Sequence, residues 1–422
     1  MDAADRAERI VRTLVETLKP GFAVRLWTGE RIGPADGPVL AINDQDIVWQ
    51  LVRRPTFSTL VEMWVSKTVD IEEGTLFDFY ALPSQGKLKT KLKSLPKLEI
   101  LRDLPSVLFS RKQMTARSDL SGRRPFVSGS NKEAIQHHYD ISNDFYRLFL
   151  DERMVYSCGY FHDFANGIDQ AQVDKLDHIC RKLRLKPGER LLDIGCGWGA
   201  MLIHAAKNYG VVGRGVSLSQ AQTDLARERI RAEGLEDRIT IEIKSYAELS
   251  GTFDKISSIG MFEHLGLANH AAYFSAIHRL LKPGGIYLHH AITRRGKGST
   301  RKTLRKGAEY KALIKYIFPG GEVDTIGMTL GNLEAHGFLA YDVENLREHY
   351  ARTCRLWAQR LQARFDEAIA EVGEAKARLW LLYLAGCSIT FERGSAQIFQ
   401  TVATRRARGP SGLPPTRADL YR

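Results

Sequence analysis

The spacing of apolar positions divides the chain into two regions. Residues 1–100 open with apolar positions at helical spacing, which predict an amphipathic helix ending at Pro20-Gly21: Ile10, Val11, Leu14, Val15 and Leu18. Three short runs then predict strands (FAVRLW, PVLAI and DIVWQLV), and a second helix is predicted around 60–65. The first region is therefore expected to be a small α+β unit.

From about residue 131 the pattern alternates between strands and helices. The predicted strands read LLDIG, VVGRGVS, ITIEIK, KISSIGM and IYLHHAI, with amphipathic helical segments between them. A helical segment over about 344–372 and a helix-plus-strand pair over 375–404 close the chain. This alternation predicts a parallel, doubly wound α/β sheet, in which ligands bind at the carboxyl ends of the strands.

One strand end carries the strongest chemical signal. Residues 191–199 read LLDIGCGWG, so that Asp193 is followed by Gly195, Gly197 and Gly199 and then by a helix. Glycines there allow positive φ and close approach of a ligand to the main chain, and the helix N-terminus offers free N–H groups. This context predicts a nucleotide-like cofactor.

The loop differs from a dinucleotide site. Such a site carries GxGxxG and an acid at the end of the second strand, whereas this loop is GxGxG and the second strand leads to Ser219 and Gln222. Both side chains can hydrogen-bond a ribose, and Ser219 can equally be the N-cap of the next helix. The sequence leaves these two roles for Ser219 open.

Composition excludes several classes of protein. The 422 residues contain no apolar run of membrane-spanning length, and the N-terminus has no signal-peptide pattern, so a cytoplasmic protein is expected. Five scattered cysteines suggest neither a disulfide framework nor a zinc site. His137-His138 lack acids at metal-ligand spacing, so a lid segment is preferred and no metal is predicted.

The positive charge is concentrated in one stretch. Residues 86–124 hold 6 lysines and 5 arginines against 3 acids, which is most of the net charge of +12. Such a stretch attracts polyanions, either nucleic acid or an anionic membrane surface, but it can also be a solvated linker. We expect an N-terminal domain over 1–102, a basic linker over 103–130 and a catalytic domain over 131–410.

Several motifs carry a family resemblance. Asp193 with GxGxG resembles the first motif of class I S-adenosylmethionine-dependent methyltransferases, and the Lys282-Pro-Gly-Gly285 turn is typical of that Rossmann-like fold. The segments HYDISNDFY (138–146), YSCGYF (156–161), GMFEHLG (260–266) and KYIFPG (315–320) resemble the cyclopropane-fatty-acyl-phospholipid synthase family, which includes mycolic acid cyclopropane synthases. The resemblance covers nearly all of 131–404. Residues 1–100 resemble, more weakly, the lipid-facing domain of the phospholipid-acting members.

The resemblance implies methyl transfer from S-adenosylmethionine to a cis double bond of an unsaturated phospholipid acyl chain. A carbocation forms, and a bound bicarbonate takes a proton from the added methyl so that a cyclopropane ring closes. An alkene is a weak nucleophile, so the enzyme must mainly align the reactants and exclude water. Aromatic faces would stabilise the cation, and Tyr156, Tyr160, Phe161 and Phe262 are the candidates.

The resemblance also assigns site residues. The positions that match the bicarbonate cradle are Cys158, Glu263, His290, Ile292 and Tyr350. Those that match the cofactor site are Tyr139, Tyr156, Ser157, Asp193, Gly195, Gly197, Ser219, Gln222, Tyr246 and Gly260. From the residues alone, Cys158 reads as a small buried apolar residue and Tyr350 as a helix-face aromatic, whereas Glu263 is unexpected in an apolar strand-end context.

Alternatives stay open at this level. Residues 322–325 read EVDT where many relatives carry an apolar-Pro pair, and this segment is a candidate contact for the acyl chain or head group. The same first step could instead give a methylene- or methyl-branched chain. A nucleic-acid methyltransferase is disfavoured, because the sequence has no NPPY-type motif. The expected partner is an anionic phospholipid membrane at the inner face, without nucleic acid. A homodimer also stays open, although nothing in the sequence marks its face.

Overall fold

The computed structural model describes residues 3–82, 95–109, 141–317 and 321–421, and it divides the chain into two units. The first comprises Met1–Arg124 together with Gly307–Ala312 and Gly373–Ala385, and the second comprises the rest. Two later segments thus belong to the N-terminal unit, whereas the sequence assigned them to the catalytic domain over 131–410. A boundary drawn along the sequence cannot capture such a return of the chain.

Elements are numbered over the described residues. The helices are α1 (Ala3–Leu18), α2 (Ile47–Arg53), α3 (Phe57–Val65), α4 (Leu76–Ala81), α5 (Lys97–Phe109), α6 (Asn143–Arg147), α7 (Ile168–Leu183), α8 (Ala200–Tyr209), α9 (Gln220–Ala232), α10 (His270–Leu280), α11 (Thr300–Leu304), α12 (Ala308–Tyr316), α13 (Ile326–Ala335), α14 (Arg347–Ala363), α15 (Phe365–Val372) and α16 (Glu374–Glu392). The strands are β1 (Ala23–Arg25), β2 (Arg31–Ile32), β3 (Val39–Ile42), β4 (Val69–Glu73), β5 (Arg190–Ile194), β6 (Val212–Ser217), β7 (Ile239–Ile243), β8 (Phe253–Ile259), β9 (Leu281–Arg294), β10 (Phe338–Asn345) and β11 (Ala396–Arg405).

The first unit is built on a small sheet in the order β2-β1-β3-β4. Helix α1 confirms the amphipathic prediction, because Ala7, Ile10, Val11 and Val15 are buried and pack in the same apolar cluster as strand and helix residues of this unit. The unit is therefore α+β, as expected.

Two predictions for this region were wrong. The run DIVWQLV forms helix α2 and not a strand, since its apolar residues fall at both helical and strand spacing and so short a run cannot distinguish the two. The predicted linker begins inside α5, so its first residues are helical. Most of the basic stretch, 83–94 and 110–140, lies outside the described residues.

The second unit confirms the α/β prediction. Its seven-stranded sheet has the order β10-β11-β9-β8-β5-β6-β7, and the five strands from β9 to β7 are mutually parallel. Strand β11 runs antiparallel between β9 and β10, so the sheet is mixed and not fully parallel as expected.

Helices cover both faces of this sheet. Because side chains alternate along a strand, Leu191 belongs to a buried cluster with residues of α7 and α8, while the adjacent Leu192 belongs to a second cluster with residues of α10. Leu288 and Tyr287 alternate between the same two clusters. This is the doubly wound, Rossmann-like architecture, and it brings the carboxyl ends of β5, β6, β7 and β8 to one edge.

Candidate active site

A cavity of about 320 Å³ opens at the carboxyl ends of the parallel strands. Its lining includes the residues that directly follow four strands: Gly195 after β5, Leu218 after β6, Lys244 after β7 and Gly260 after β8. Ligands of open α/β sheets bind at this edge, so the fold alone identifies the cavity as the candidate site.

The glycine loop forms one wall of the cavity. Gly195 and Gly197 have φ values of +79° and +52°, a region that favours glycine. A Cβ on Gly195 would lie 2.9 Å from the Cβ of Met261, whereas a Cβ on Gly197 would meet no atom within 4 Å. Gly195 is therefore required by packing, and Gly197 leaves space beside the N-terminus of α8.

Asp193 lies at the end of β5 and is almost fully buried. The Ser257 hydroxyl donates to its Oδ1 at 2.7 Å. Burial raises the pKa of Asp193 to about 6, against the effects of that hydrogen bond and of the Lys175 ammonium. The carboxylate can therefore accept hydrogen bonds from a ligand at neutral pH.

Lys175 is a cavity residue that the sequence did not reveal. It lies on α7, is 1% exposed, and donates from Nζ to Ser157 Oγ at 3.0 Å. Burial lowers its pKa to about 8, although the nearby Asp151 opposes this. The only signal in the sequence was a lysine at a core-facing position of an amphipathic helix.

The two polar residues that the sequence offered after β6, Ser219 and Gln222, have different roles. Ser219 is the N-cap of α9, its Oγ accepting from Gln222 N at 3.4 Å, and it is not part of the cavity wall. Gln222 does line the cavity, and the Ser217 hydroxyl donates to its Oε1 at 3.2 Å. The geometry favours the capping role for Ser219.

Of the ten residues expected to bind the cofactor, eight line the cavity: Tyr156, Ser157, Asp193, Gly195, Gly197, Gln222, Tyr246 and Gly260. Tyr139 lies outside the described residues, as do His137 and His138. Further lining residues that were not expected include Trp198, Met261 and His264. Burial raises the pKa of Tyr246, so it is a neutral aromatic wall.

Glu263 follows the cavity residues Gly260 and Met261. The Ile292 N–H donates to its Oε1 at 2.6 Å, whereas its Oε2 is buried and has no hydrogen-bond partner among the described residues. Burial raises the pKa of Glu263 to about 7, against the effect of the Ile292 hydrogen bond. This carboxyl group can therefore gain or lose a proton at neutral pH.

His290 is held next to this segment, because the Gly260 N–H donates to its carbonyl oxygen at 2.9 Å. The imidazole is fully buried and Gln400 Nε2 lies 3.1 Å from its Nδ1. Its Nε2 has no partner within the described part of the chain. Burial, reinforced by Lys175 and Lys182, lowers the pKa of His290 well below the usual value.

Cys158 and Tyr350 meet at the start of α14. Cys158 Sγ lies 3.8 Å from the carbonyl oxygen of Leu346, and the Tyr350 N–H donates to the same oxygen. Burial raises the pKa of both side chains, so the cysteine is a thiol and not a nucleophilic thiolate. Over the described residues no hydrogen bond joins the side chains of Cys158, His290 and Tyr350 directly.

The aromatic residues are less available than expected. The faces of Tyr160 are stacked between His178 at 4.2 Å and His349 at 4.9 Å, and Phe262 is enclosed by core rings such as Phe274. The expectation that these two faces stabilise a cation is therefore corrected. Tyr156 lines the cavity, so it remains a candidate, and Phe161 is buried beside His349.

Comparison with known proteins agrees with this geometry. The sequence profile described as "Mycolic acid cyclopropane synthetase" matches residues 128–401. A "Probable fatty acid methyltransferase" of Pseudomonas putida is 36% identical over 97% of this chain and 98% of its own. The "Cyclopropane-fatty-acyl-phospholipid synthase" of Escherichia coli K12 is 38% identical over 68% of this chain and 72% of its own.

Solved structures are similar over the second region. The cyclopropane synthase MmaA2 from Mycobacterium tuberculosis superposes with a TM-score of 0.61 at 34% identity, over 65% of this chain and 98% of its own. The mycolic acid cyclopropane synthase CmaA1 complexed with SAH and CTAB gives 0.62 at 34% identity, over 66% of this chain and 99% of its own. These structures share the class I methyltransferase fold.

Proposed function

The chain belongs to the mycolic acid cyclopropane synthetase family and is an S-adenosylmethionine-dependent methyltransferase, and we propose that it methylates a cis double bond in a phospholipid acyl chain to form a cyclopropane ring. The observation that carries this proposal is the position of Glu263. Its carboxyl group stands between the cavity residues Met261 and His264 in the sequence, and its buried Oε2 has no hydrogen-bond partner among the described residues. Burial raises its pKa to about 7.

The residues of the cavity fit S-adenosylmethionine. Gly197 leaves open space where a side chain would stand, Asp193 and Gln222 offer polar groups, and Tyr156, Trp198 and Tyr246 offer aromatic walls. When bound, the cofactor supplies an electrophilic methyl group. The walls would orient that methyl towards the alkene and exclude water from it.

Bicarbonate is our proposed base. Two buried polar atoms without a partner among the described residues, Glu263 Oε2 and His290 Nε2, support this assignment. Bicarbonate bound there would supply the base for the proton lost from the added methyl. Ionised Glu263 would accept a hydrogen bond from the anion's hydroxyl, and neutral His290 would donate one to an anionic oxygen. Tyr350 is the proposed third donor.

A branched product is the second candidate. The Pseudomonas putida relative, which matches nearly the whole chain, is named a fatty acid methyltransferase. That name mentions methyl transfer and does not mention a ring. In addition, the unusual segment 322–325 places Asp324 in a fully buried position, with Oδ1 unpartnered among the described residues. Burial raises its pKa to about 7, and the nearby Glu263 charge adds to this. A second acid of this kind could remove a different proton.

The proposed partner is an anionic membrane surface on the cytoplasmic side. In the first unit, Val52, Phe57 and Leu60 are exposed apolar side chains on α2 and α3. Arg53 ends α2, and Arg54 directly follows it. Apolar side chains flanked by cations suit the head-group region of an anionic bilayer. None of the described helices has the length and apolarity needed to cross a membrane.

The test is incubation of the full chain with vesicles of unsaturated phospholipid and deuteromethyl S-adenosylmethionine. Mass spectrometry should find lipid that retains two of the three deuteriums, and deuterium NMR should assign them to a ring. Signals of an exocyclic methylene or a methyl branch would establish the second candidate instead. Saturated phospholipid is the control and should gain no label. If unsaturated phospholipid also gains no label, both candidates are rejected.

A further inference from the structure

His290 contacts a buried series of hydrogen-bonded polar side chains that none of its expected roles requires. Strands β9 and β11 place Gln400 directly opposite His290, and both residues are fully buried. Lys182 of α7 is fully buried as well, and its Nζ donates to Gln400 Oε1 at 2.8 Å and to Glu344 Oε2 at 2.5 Å. Hydrogen bonds thus connect Glu344 to Lys182, Lys182 to Gln400, and Gln400 to His290.

The charge of Lys182 is fixed by Glu344. Burial opposes ionisation of Glu344, but the His178 hydrogen bond and the Lys182 charge hold its pKa at about 2. Burial lowers the pKa of Lys182, but the charge and the hydrogen bond of Glu344 oppose this effect. Facing this carboxylate, Lys182 is an ammonium, which has three donors and no acceptor. The end of the Gln400 amide that faces Lys182 must therefore be its carbonyl oxygen.

The orientation of Gln400 then determines the state of His290. With its oxygen turned towards Lys182, the amide presents its NH₂ group to Nδ1 of His290, 3.1 Å away. A neutral imidazole has one N–H, and a nitrogen that accepts a hydrogen bond cannot carry it. The proton must be on Nε2, the nitrogen that has no partner among the described residues.

We propose that Lys182 and Gln400 are positioning residues that hold His290 in its Nε2–H tautomer, so that His290 acts on its ligand only as a hydrogen-bond donor. The identity of that ligand rests on the proposed function, whereas the tautomer does not. A donor at this position suits an oxyanion, and it excludes His290 as the base that removes a proton.

The tautomer can be measured in the full chain labelled with ¹⁵N-histidine. Imidazole ¹⁵N NMR at neutral pH should show His290 with Nε2 protonated and Nδ1 unprotonated, the resonance being assigned with a His290→Asn variant. Gln400→Glu should place a proton on Nδ1, because a carboxylate has no donor to offer it. Gln397→Glu adds the same charge to the same strand and should leave the pattern unchanged.

A variant at Lys182 tests the same tautomer without changing Gln400, so the test does not depend on whether the Gln400→Glu variant folds. Lys182→Met removes the donor that orients the amide, and it should give a mixture of both tautomers. Gln400→Met should lower kcat about tenfold and leave KM for S-adenosylmethionine unchanged, since the cofactor cavity does not include Gln400.

The outcomes separate the two proposals. A wild-type His290 protonated on Nδ1, or a Gln400→Glu variant with the wild-type pattern, would overturn the assigned tautomer. If wild type shows the Nε2–H form but transfers no label to lipid, the proposed function fails and the tautomer assignment stands.

Discussion

Glu263 makes the stability of the folded chain depend on pH near neutrality. Its pKa rises from 4.5 to about 7 because burial disfavours the charged form. Between these two pH values the folded chain holds a proton that the unfolded chain has lost, so stability contributed by this site falls as pH rises through that window. The site is therefore maintained at a cost to stability.

Glu263→Gln should remove this cost while keeping an acceptor for the Ile292 N–H. Relative to wild type, the variant should gain up to about 3 kcal/mol in free energy of unfolding between about pH 5 and about pH 8. Urea denaturation at both pH values measures the difference. Methyl transfer should fall at least about 100-fold, since the amide that still accepts from the Ile292 N–H presents its NH₂ group, a donor, where the proposed chemistry needs an acceptor for the bicarbonate hydroxyl.

The control is Glu236→Gln, which changes an exposed acid of the same unit. It should alter neither stability nor activity by a measurable amount. A Glu263→Gln variant whose stability difference from wild type is constant with pH would show that the carboxyl group titrates normally.

The two glycines of the loop should respond differently to alanine. Gly195→Ala combines a positive φ with a Cβ 2.9 Å from Met261, so it should cost about 2–4 kcal/mol in unfolding free energy. Gly197→Ala meets no atom and should cost about 1–2 kcal/mol, but it should weaken binding of S-adenosylhomocysteine in calorimetry.

Gly188→Ala provides the reference for backbone strain alone. Gly188 has a φ of +82° and open space around it, and it does not line the cavity. If it weakened cofactor binding as much as Gly197→Ala does, the binding effect would come from the backbone and not from the cavity.

At the scale of single residues, motifs predicted the cavity wall but not its buried supports. Eight expected cofactor residues line the cavity, because glycines and acids at strand ends have few other uses. Lys175, Lys182 and Gln400 were missed, since a buried polar residue is recognisable only from its partners. Lys182 and Gln400 are 218 positions apart in the sequence.

At the scale of elements, the capping role of Ser219 gives a direct test. Ser219→Ala should destabilise the chain by about 1 kcal/mol through loss of the N-cap of α9, without changing affinity for S-adenosylhomocysteine. Gln222→Leu should weaken that affinity about fivefold or more, because Gln222 lines the cavity. Thermal denaturation and calorimetry on both variants separate the two roles. Loss of affinity in Ser219→Ala would make the serine a ligand.

Helices and strands whose apolar residues follow a single spacing were predicted well. Elements whose apolar residues fit both helical and strand spacing were not. The strands β5 to β9 follow from their apolar runs, whereas α2 is too short for its period to be resolved. Strand β10 was missed although Tyr341 and Val343 alternate with the acids Asp342 and Glu344, because it directly precedes the helical pattern of α14. The antiparallel placement of β11 depends on pairing, which local patterns do not contain.

At the scale of the whole molecule, net charge and the apolar patch should act together on membranes. The chain carries a net charge of +12. Binding to anionic phospholipid vesicles, measured by co-sedimentation, should weaken steeply as salt increases, because exposed charges are screened. Phe57→Ser with Leu60→Ser should weaken it further, by about tenfold, since less apolar surface enters the bilayer.

Val212→Ser is the matched control, because Val212 is 46% exposed but lies on a strand of the catalytic sheet. It should bind vesicles as wild type does. Equal binding to neutral and anionic vesicles would exclude electrostatic docking, and retention of nucleic acid in place of vesicles would identify a different partner.

The first unit also has a consequence for modularity. Its residues come from three separate places in the chain, and one of them is the beginning of α16. There Arg378 is 4% exposed, with its guanidinium 4.1 Å from the ring of Trp64 and an ion pair to Asp70. A chimera that replaces residues 1–124 alone would leave this arginine without its aromatic and acidic partners. Exchange of the N-terminal unit between relatives must therefore transplant the first turns of α16 with it, and an evolutionary gain or loss of that unit must have changed α16 as well.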